Sequence, residues 1–373
     1  MSQAPFRYDI VGSFLRPTAV LEARAKFNEG AITADELRAV EDKAITELVE
    51  KQKAVGLKAV TDGEFRRAFW HIDFLEGLMG VNEEVAEAWS TQFKGHNPKA
   101  LTLKVTGKID FPEDHPHVAD FKFLQSLVGD DVLAKMTIPS PSMLYHIVAV
   151  RGAENYKAID IYQDDQAFFD DLAAAYIKAV QTFYAAGCRY LQLDDTSWGE
   201  FCDAEKVASF ESHGVNVKAV EEKYVEVLNK IMAAKPADMT ITMHICRGNF
   251  RSTYFSSGAY DPVAEVLFGG CHVDGFFLEY DTDRSGGLEP LRYIQKQKVV
   301  LGLVTSKFPE LENPDEVKAR IQEASKYVPL DQLCLSPQCG FSSTEEGNEL
   351  LDQDQWKKLE LIKTIAQDVW QDA

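Results

Sequence analysis

The sequence has no apolar run long enough to cross a bilayer, and residues 1–7 lack the apolar core of a signal peptide. Cysteine is scarce: six residues in 373, which in the absence of a signal peptide indicates reduced thiols rather than a disulfide framework. No low-complexity segment and no linker rich in Gly, Pro or Ser interrupts the chain. These absences predict a cytoplasmic globular protein.

Basic residues are also under-represented. The chain has 39 Lys and Arg against 59 Asp and Glu, which gives a net charge of −20 at pH 7. Such a charge repels the phosphates of nucleic acid and of anionic membranes, so we expect neither as a partner. An anionic substrate would need a local basic pocket. Hydrophobic residues make up 45% and charged residues 26%, as is usual for a soluble protein with a core.

Short apolar runs alternate with amphipathic helical patterns about eight times along the chain. The runs predict strands at 8–14, 58–61, 134–138, 189–193, 239–242, 274–278, 298–304 and 332–337. The longer helical patterns lie at about 33–54, 165–186, 216–234, 314–327 and 353–370. Residues 71–129 interrupt this alternation with Trp89, Phe93 and a hairpin around 101–105, which predicts an inserted flap.

Eight βα units of this size predict one α/β domain, a (β/α)8 TIM barrel spanning residues 1–373 with the flap after its second strand. The alternative fold is an open, doubly wound sheet. That fold usually carries a Gly-rich phosphate loop, and neither Gly-X-Gly-X-X-Gly nor a P-loop is present. The barrel is therefore the favoured prediction.

A barrel of this kind carries its chemistry where the strands end, and four residues of metal-binding types occur there. His244 and Cys246 follow the fifth strand, Glu279 the sixth and Cys339 the eighth. One nitrogen, two sulfurs and one oxygen form a donor set that suits Zn²⁺. A single buried Cys or His is more often a packing residue, so the prediction rests on all four together. The remaining cysteines are predicted to pack in the core: Cys188, Cys202, Cys271 and Cys334.

The chain also resembles a known family, the catalytic barrel of the cobalamin-independent methionine synthases, and most closely its short, single-barrel relatives. The motifs that carry this resemblance run in order through nearly the whole chain: Val11-Gly12-Ser13-Phe14, Asp62-Gly63-Glu64-Phe65, Gln192-Leu193-Asp194-Asp195, His244-Ile245-Cys246, Leu278-Glu279 and Ser336-Pro337-Gln338-Cys339-Gly340. The resemblance implies zinc-dependent transfer of a methyl group to the thiol of homocysteine, which forms methionine. It implies zinc ligation by His244, Cys246, Glu279 and Cys339, and homocysteine binding by Ser13, Glu64 and Asp194.

The chemistry of these residues agrees with that implication. A metal-bound thiol is deprotonated and becomes a good nucleophile. Glu64 and Asp194 offer carboxylates to the amino group of an amino acid, and backbone N–H groups near Ser13 could hold its carboxylate. The alternative interpretation of Asp62, Glu64, Asp194 and Asp195 is helix capping after each strand, which is common in βα loops.

The sequence departs from the family pattern in two ways. The two-barrel synthases carry an amino-terminal barrel for which this chain has no room, and no His follows the seventh strand, where the family has a proton-relay His. Lys307 in Val304-Thr305-Ser306-Lys307 is a candidate replacement acid; its alternative is an exposed loop lysine. Both departures argue against a long polyglutamated folate as donor, and the methyl donor is expected to be a folate or a methyl-corrinoid.

Three other functions stay open at this point. One is zinc-dependent alkyl transfer to another thiol, as in epoxide:thiol transferases, against which Glu64 and Asp194 argue because such a thiol has no amino group. The second is a metal-free barrel of the decarboxylase type. The third is a non-enzymatic zinc-binding protein, which a Glu ligand at a barrel mouth disfavours.

Overall fold

The computed structural model describes residues 4–85, 93, 101–153 and 161–373. In these residues the strands are β1 (Ala59–Val60), β2 (Met79–Val85), β3 (Leu101–Asp110), β4 (Leu133–Pro139), β5 (Tyr190–Asp195), β6 (Thr240–Ile245), β7 (Gly275–Glu279), β8 (Lys298–Val304) and β9 (Leu333–Pro337). Seven of them form one parallel sheet in the order β1-β4-β5-β6-β7-β8-β9. This curled sheet, with helices between successive strands, is the predicted TIM-barrel-like α/β fold.

Helices follow the strands and cover the outside of the sheet. In the described chain the α-helices are α1 (Thr18–Asn28), α2 (Ala34–Val55), α3 (Ile72–Leu75), α4 (Pro116–Leu127), α5 (Ser142–Tyr145), α6 (Asp165–Ala185), α7 (Ser197–Phe201), α8 (Ala204–Ser212), α9 (Val217–Ala234), α10 (Asp261–Gly270), α11 (Pro314–Ala324) and α12 (Asp352–Val369). A π-helical turn, His146–Arg151, continues α5. None of the described helices combines the length and apolar character that a membrane span requires.

The predicted helix boundaries agree with the structure to within about three residues, because the local signals are strong. Helix α2 begins after Thr33, whose side chain accepts a hydrogen bond from Glu36 N–H while Glu36 bonds back to Thr33 N–H. This is the capping box that the sequence predicts. Gly56 ends the helix at a φ of 95°, a left-handed conformation that glycine adopts without strain.

The first predicted strand differs from the prediction. Only Tyr8 forms a bridge, to Leu335 of β9, where Asp9 N–H donates to Leu335 O at 3.0 Å. The amide groups beside it bond to a side chain instead of to a neighbouring strand, since Phe6 N–H and Ile10 N–H both donate to the Asp9 carboxylate. Such local bonds compete with a strand ladder. The segment still contacts both edge strands of the sheet, because Phe14 N–H donates to Gly63 O at 3.1 Å, just beyond β1.

The predicted hairpin is present between β1 and β4. Strands β2 and β3 pair antiparallel, from Val85 with Leu101 to Met79 with Asp110. The predicted extent of the flap, 71–129, and the single-domain boundaries 1–373 stay predictions. Trp89, which the sequence places in this flap, lies outside the described residues.

The central strands of the sheet are buried. Strands β5, β6, β7 and β9 are buried along their whole length, as expected for parallel strands covered on both faces. All six cysteines are free and buried. Cys188, Cys202, Cys271 and Cys334 therefore have the packing positions that the sequence predicts.

Candidate metal centre and substrate cavity

The four predicted metal ligands lie together at the carboxyl ends of the strands. One donor atom from each of His244, Cys246, Glu279 and Cys339 lies within 4.8 Å of the others, and all four residues are buried. The sulfurs of Cys246 and Cys339 are 3.6 Å apart. In a tetrahedral zinc site with Zn–S bonds of about 2.3 Å, two sulfurs are separated by about 3.8 Å. The cluster therefore has dimensions that suit zinc.

The strands explain this convergence. Glu279 is the last residue of β7, and its neighbour β6 ends at Ile245, between His244 and Cys246. Cys246 lies just past the strand, where its N–H donates to Asp195 O at 2.7 Å. Cys339 comes from the loop after β9. Parallel strands end on the same face of a barrel, so residues distant in sequence meet there.

The two possible ligand atoms of the His244 imidazole have different surroundings. Its Nδ1 lies 3.3 Å from the carbonyl oxygen of Phe277, while its buried Nε2 has no hydrogen-bond partner among the described residues. A metal-binding His commonly bonds a carbonyl through one nitrogen and the metal through the other. This orphaned buried nitrogen fits a metal ligand.

The charges of the cluster depend strongly on one another. The hydrogen bond from Cys246 lowers the pKa of the Cys339 thiol well below its usual range, and the same bond raises the pKa of Cys246. Burial disfavours a charged His244, but the Cys339 sulfur outweighs this effect and the pKa of His244 rises to about 9. Without a metal, the cluster therefore retains protons on Cys246 and His244, which a bound cation would displace.

Glu279 has other partners for both of its oxygens. Its Oε1 accepts a hydrogen bond from Arg247 N–H at 3.0 Å, and its Oε2 accepts one from Arg284 Nη2 at 2.5 Å. Burial raises the pKa of Glu279, but the Arg284 charge and other cations outweigh it, so the net pKa is lowered. The carboxylate is thus ionised and stabilised whether or not it binds a metal. This makes Glu279 suited to be the weakest ligand of the four.

A cavity that is open to solvent lies beside the cluster. Its lining includes six of the eight predicted site residues: Ser13, Glu64, Asp194, His244, Cys246 and Cys339. Glu279 and Lys307 do not line it. The predicted substrate residues and the sulfurs of the cluster therefore face a common space.

The two acidic residues of the cavity are buried, and Glu64 is partly compensated by Arg67, whose Nη1 lies 3.9 Å from Glu64 Oε2. Glu64 has a positive φ of 61°, and its Oε2 has no hydrogen-bond partner within the described chain. Burial raises the pKa of Glu64. Burial also raises the pKa of Asp194 to about 7, although His244 opposes the shift. Both carboxyl groups would be better stabilised by a cationic ligand group than by the protein alone.

Asp195 makes local hydrogen bonds at the start of α7, whereas among the described residues Asp194 makes none there. Asp195 Oδ1 accepts hydrogen bonds from the hydroxyl of Ser197 at 2.5 Å and from Trp198 N–H at 3.2 Å, at the start of α7. Its other oxygen accepts the hydroxyls of Ser140 and Ser142. Asp62 also has a local role, since its Oδ1 accepts Glu64 N–H at 2.8 Å. The neighbouring pair Glu64 and Asp194 faces the cavity.

Ser13 is joined to the loop that carries Cys339. Its hydroxyl accepts Ser342 N–H at 3.2 Å, and its carbonyl oxygen accepts Phe341 N–H at 2.9 Å. A Cβ atom on Gly340 would lie 1.9 Å from the Ser13 hydroxyl oxygen, so only glycine permits this contact. These contacts fix the predicted substrate residue Ser13 against the loop that carries the predicted metal ligand Cys339.

Lys307 differs from both sequence-based interpretations in its surroundings. It is only 2% exposed, so the alternative of an exposed loop lysine is wrong. Its ammonium group donates to Asn249 Oδ1 at 2.7 Å, Gly248 O at 3.1 Å and Thr253 O at 3.2 Å. All three of its N–H groups thus have acceptors in the loop after β6, which supports a structural role. Its catalytic role stays a prediction without a contact to the cavity.

Sequence reasoning missed the rest of the cavity wall. Arg151 and His71 line it together with several aromatic rings: Phe69, Trp70, Phe93, Phe250 and Phe255. Phe93 belongs to the predicted flap, but its aromatic character alone does not predict a place in the cavity wall. No motif distinguishes Arg151, because it ends an apolar segment far from the strand-end motifs.

Comparison with known proteins agrees with the sequence resemblance. The model of the family described as "Cobalamin-independent synthase, Catalytic domain" matches residues 7–353. The uncharacterized protein YxjH of Bacillus subtilis is 52% identical over 370 residues, covering 99% of this chain and 96% of that protein. The methionine synthase of Saccharolobus solfataricus is 23% identical over 349 residues, covering 89% of this chain and 87% of that enzyme.

A solved structure from Listeria monocytogenes, provisionally named a vitamin-B12 independent methionine synthase, has a TM-score of 0.78 to this chain. The two sequences are 45% identical, and the match covers 99% of each chain. The similarity therefore extends over the barrel and the segments inserted into it.

Proposed function

Since this chain belongs to the family of cobalamin-independent synthase catalytic domains, we propose that it transfers a methyl group to the thiol of homocysteine and forms methionine. We propose one Zn²⁺ per chain, bound by His244, Cys246, Glu279 and Cys339. The observation that carries the proposal is the buried N, S, S, O cluster opening onto a cavity that also contains Glu64 and Asp194.

In this proposal, different residues of the cavity bind the amino group and the carboxylate of homocysteine. Glu64 and Asp194 bind the amino group, whose positive charge stabilises their ionised forms. Ser13 and the backbone N–H groups near it hold the carboxylate. These contacts direct the thiol towards the cluster, where a bound zinc ion supplies the Lewis acidity that keeps a thiol deprotonated. The thiolate sulfur then forms a bond to the methyl carbon as the bond between that carbon and the donor breaks.

The methyl donor in this proposal is a folate or a methyl-corrinoid. A folate leaving group is a nitrogen that must gain a proton as the methyl group departs, whereas a methyl-corrinoid needs no such acid. Lys307 has all its N–H groups bonded within the loop after β6, which gives no support to it as that acid.

The test incubates the zinc-loaded protein with homocysteine and, separately, with methylcobalamin and with mono- and triglutamate forms of methyltetrahydrofolate. Methionine formation that is lost on chelation and restored by zinc supports the proposal. 4-Mercaptobutanoate, which is homocysteine without its amino group, is the matched control substrate. Its methylation at the same efficiency would favour the alternative, alkyl transfer to another thiol. Absence of both homocysteine binding and methionine formation would contradict the proposed function.

A further inference from the structure

One wall of the cavity has a cation and an imidazole that the proposed homocysteine site does not use. We propose that Arg151 and His71 form a carboxylate-binding subsite for the methyl donor, which is then an anion with a flat, apolar body. This inference rests on the proposed function, because it assigns to the second substrate a part of the same cavity.

Arg151 is held in place from behind. It ends the π-helical turn, and its side chain is 8% exposed. Glu200, itself 1% exposed, accepts hydrogen bonds from Arg151 Nε at 2.9 Å and from Nη2, while Thr196 Oγ1 accepts Nη2 at 3.0 Å. Within the described chain these bonds leave Nη1 for a ligand. π-Helical turns occur frequently at functional sites.

The charges around Arg151 do not cancel. Glu200 Oε2 also lies 3.8 Å from Lys206 Nζ, so two cations share one carboxylate. His146 contributes a further contact to Glu200, with its Nε2 3.2 Å from Oε1. Burial opposes ionisation of Glu200, but Arg151 and His146 outweigh it and hold the pKa of this carboxyl well below its usual range. The group therefore keeps an excess positive charge beside the cavity of an acidic protein.

His71 supplies a second polar group. It is 7% exposed, and its Nδ1 is buried without a hydrogen-bond partner among the described residues. Its ring stacks on Trp70, with centroids 4.4 Å apart and planes 13° apart. Burial, together with the nearby Arg151 charge, lowers the pKa of His71 to about 3. The imidazole is therefore neutral and can donate one N–H to a carboxylate that also binds Arg151.

Aromatic rings extend from this pair towards the cysteines. The Arg151 guanidinium carbon lies 5.6 Å from the ring centroid of Phe255, and Phe93 packs against both Phe255 and Phe250. A Cβ atom on Gly248 would lie 2.2 Å from the Phe255 ring, so this ring touches the backbone two residues after Cys246. A molecule anchored at Arg151 can thus lie along Phe255 and reach the sulfur cluster.

The carboxylate at Arg151 could belong to either substrate. Homocysteine has one carboxylate, and the proposed function places it near Ser13. An anion at Arg151 is then part of the donor. Among the described residues that line the cavity, Arg151 is the only arginine or lysine, and the net charge of the chain is −20, so one carboxylate is favoured over a chain of several.

The first test measures binding to the metal-loaded protein by isothermal titration calorimetry, with benzoate as probe and benzamide as its neutral control. Benzoate should bind roughly tenfold or more tightly than benzamide. Arg151→Gln should abolish this preference, and His71→Phe should reduce it. Arg189→Gln removes a distant arginine from an exposed ion pair and should leave the preference unchanged. Equal binding of the two probes, or an unchanged preference in Arg151→Gln, would overturn the proposal.

Arg151→Gln leaves Glu200 buried without its main partner, so folding is a concern. The double variant Arg151→Gln/Glu200→Gln replaces the ion pair by two amides; a thermal melt checks its folding, and it should also lack the preference for benzoate. If it keeps the preference, the proposal fails.

The second test assigns the subsite to a substrate. In the methionine assay benzoate should compete with the methyl donor and not with homocysteine. Competition with homocysteine would overturn the assignment to the donor and leave the proposed function intact. Calorimetric preference for benzoate in a protein that forms no methionine would support the anion site while contradicting the proposed function.

Discussion

The sulfurs of Cys246 and Cys339 lie 3.6 Å apart although 93 residues separate them in the chain. Their hydrogen bond lowers the pKa of one thiol and raises that of the other, so one proton is shared between two buried sulfurs. Binding of a divalent cation to both sulfurs would release that proton. This relationship leads to the first prediction.

Cys339→Ser should lose zinc and keep its fold. Even changes to groups behind a metal ligand reduce affinity by about 10–100-fold, so loss of a thiolate ligand should cost at least as much. The measurement is zinc per chain by elemental analysis, together with a thermal melt. Cys271→Ser alters another buried thiol, outside the cluster, and should retain its zinc. Full zinc content in Cys339→Ser would show that the ligand assignment is wrong.

Asp194→Asn should weaken homocysteine binding and leave the zinc content unchanged. Removal of one partner from a partly desolvated ion pair costs about 2–5 kcal/mol, which corresponds to roughly 30-fold or more in affinity. Calorimetric titration with homocysteine measures the effect. The neighbouring Asp195→Asn breaks hydroxyl and helix-capping contacts, so it should lower stability with little change in affinity. Equal affinity in Asp194→Asn and the parent would reject the assignment.

Ionisation of Glu221 should make the stability of the protein depend on pH. It is 4% exposed in α9, and burial raises its pKa from 4.5 to about 7 although Lys218 opposes the shift. A carboxyl group whose pKa is higher in the folded state stabilises the protein below pH 4.5, and this contribution is lost as the pH rises through 7. Glu221→Gln should therefore raise the free energy of unfolding by about 1–3 kcal/mol at pH 8 and bring no gain at pH 4.

Urea denaturation at the two pH values measures this difference. Glu222→Gln, at the exposed neighbouring position, is the matched control and should show no such pH-dependent gain. A gain of the same size at pH 4 and pH 8 in Glu221→Gln would mean that ionisation is not its cause.

Lys307→Gln should reduce stability without changing the form of the pH–rate profile. The substitution leaves buried oxygens of Gly248, Asn249 and Thr253 without their donor, at a cost of about 2–4 kcal/mol. The melting temperature and the pH dependence of kcat measure the two effects. Lys296→Gln, at an exposed position, should alter neither. Loss of one limb of the pH–rate profile in Lys307→Gln would instead indicate that Lys307 is a proton donor in the reaction.

The sequence was sufficient to predict the barrel and the four clustered residues, because both follow from periodic patterns. Alternation of apolar runs with helical patterns specifies parallel strands, and parallel strands bring their carboxyl ends together. His244 and Cys339 could therefore be assigned to the same metal site although they lie far apart in the sequence. Helix boundaries could be predicted closely because capping signals such as Thr33 and Glu36 act on neighbouring residues.

The rest depended on contacts that no local pattern specifies. Asp194 and Asp195 are adjacent and chemically identical, and only the positions of Ser140, Ser142 and the cavity separate their roles. The loss of the first strand likewise depends on which amides Asp9 captures. Arg151 and His71 reach the cavity from segments outside the strand ends, where a barrel gives no expectation for them.

The bridge between the first segment and β9 has a consequence for how the chain is made. Arg7 and Leu333, which this bridge brings together, are 326 residues apart. At a synthesis rate of roughly 5–20 residues per second, the amino-terminal segment waits about 15–65 s on the ribosome before its partner exists. Cys339 follows soon after Leu333 in the sequence, so a nascent chain has three of the four donors until residue 339 is added. The contact between the first segment and β9 and the complete set of metal donors should therefore form at nearly the same time, and chains that stop before residue 333 should have neither.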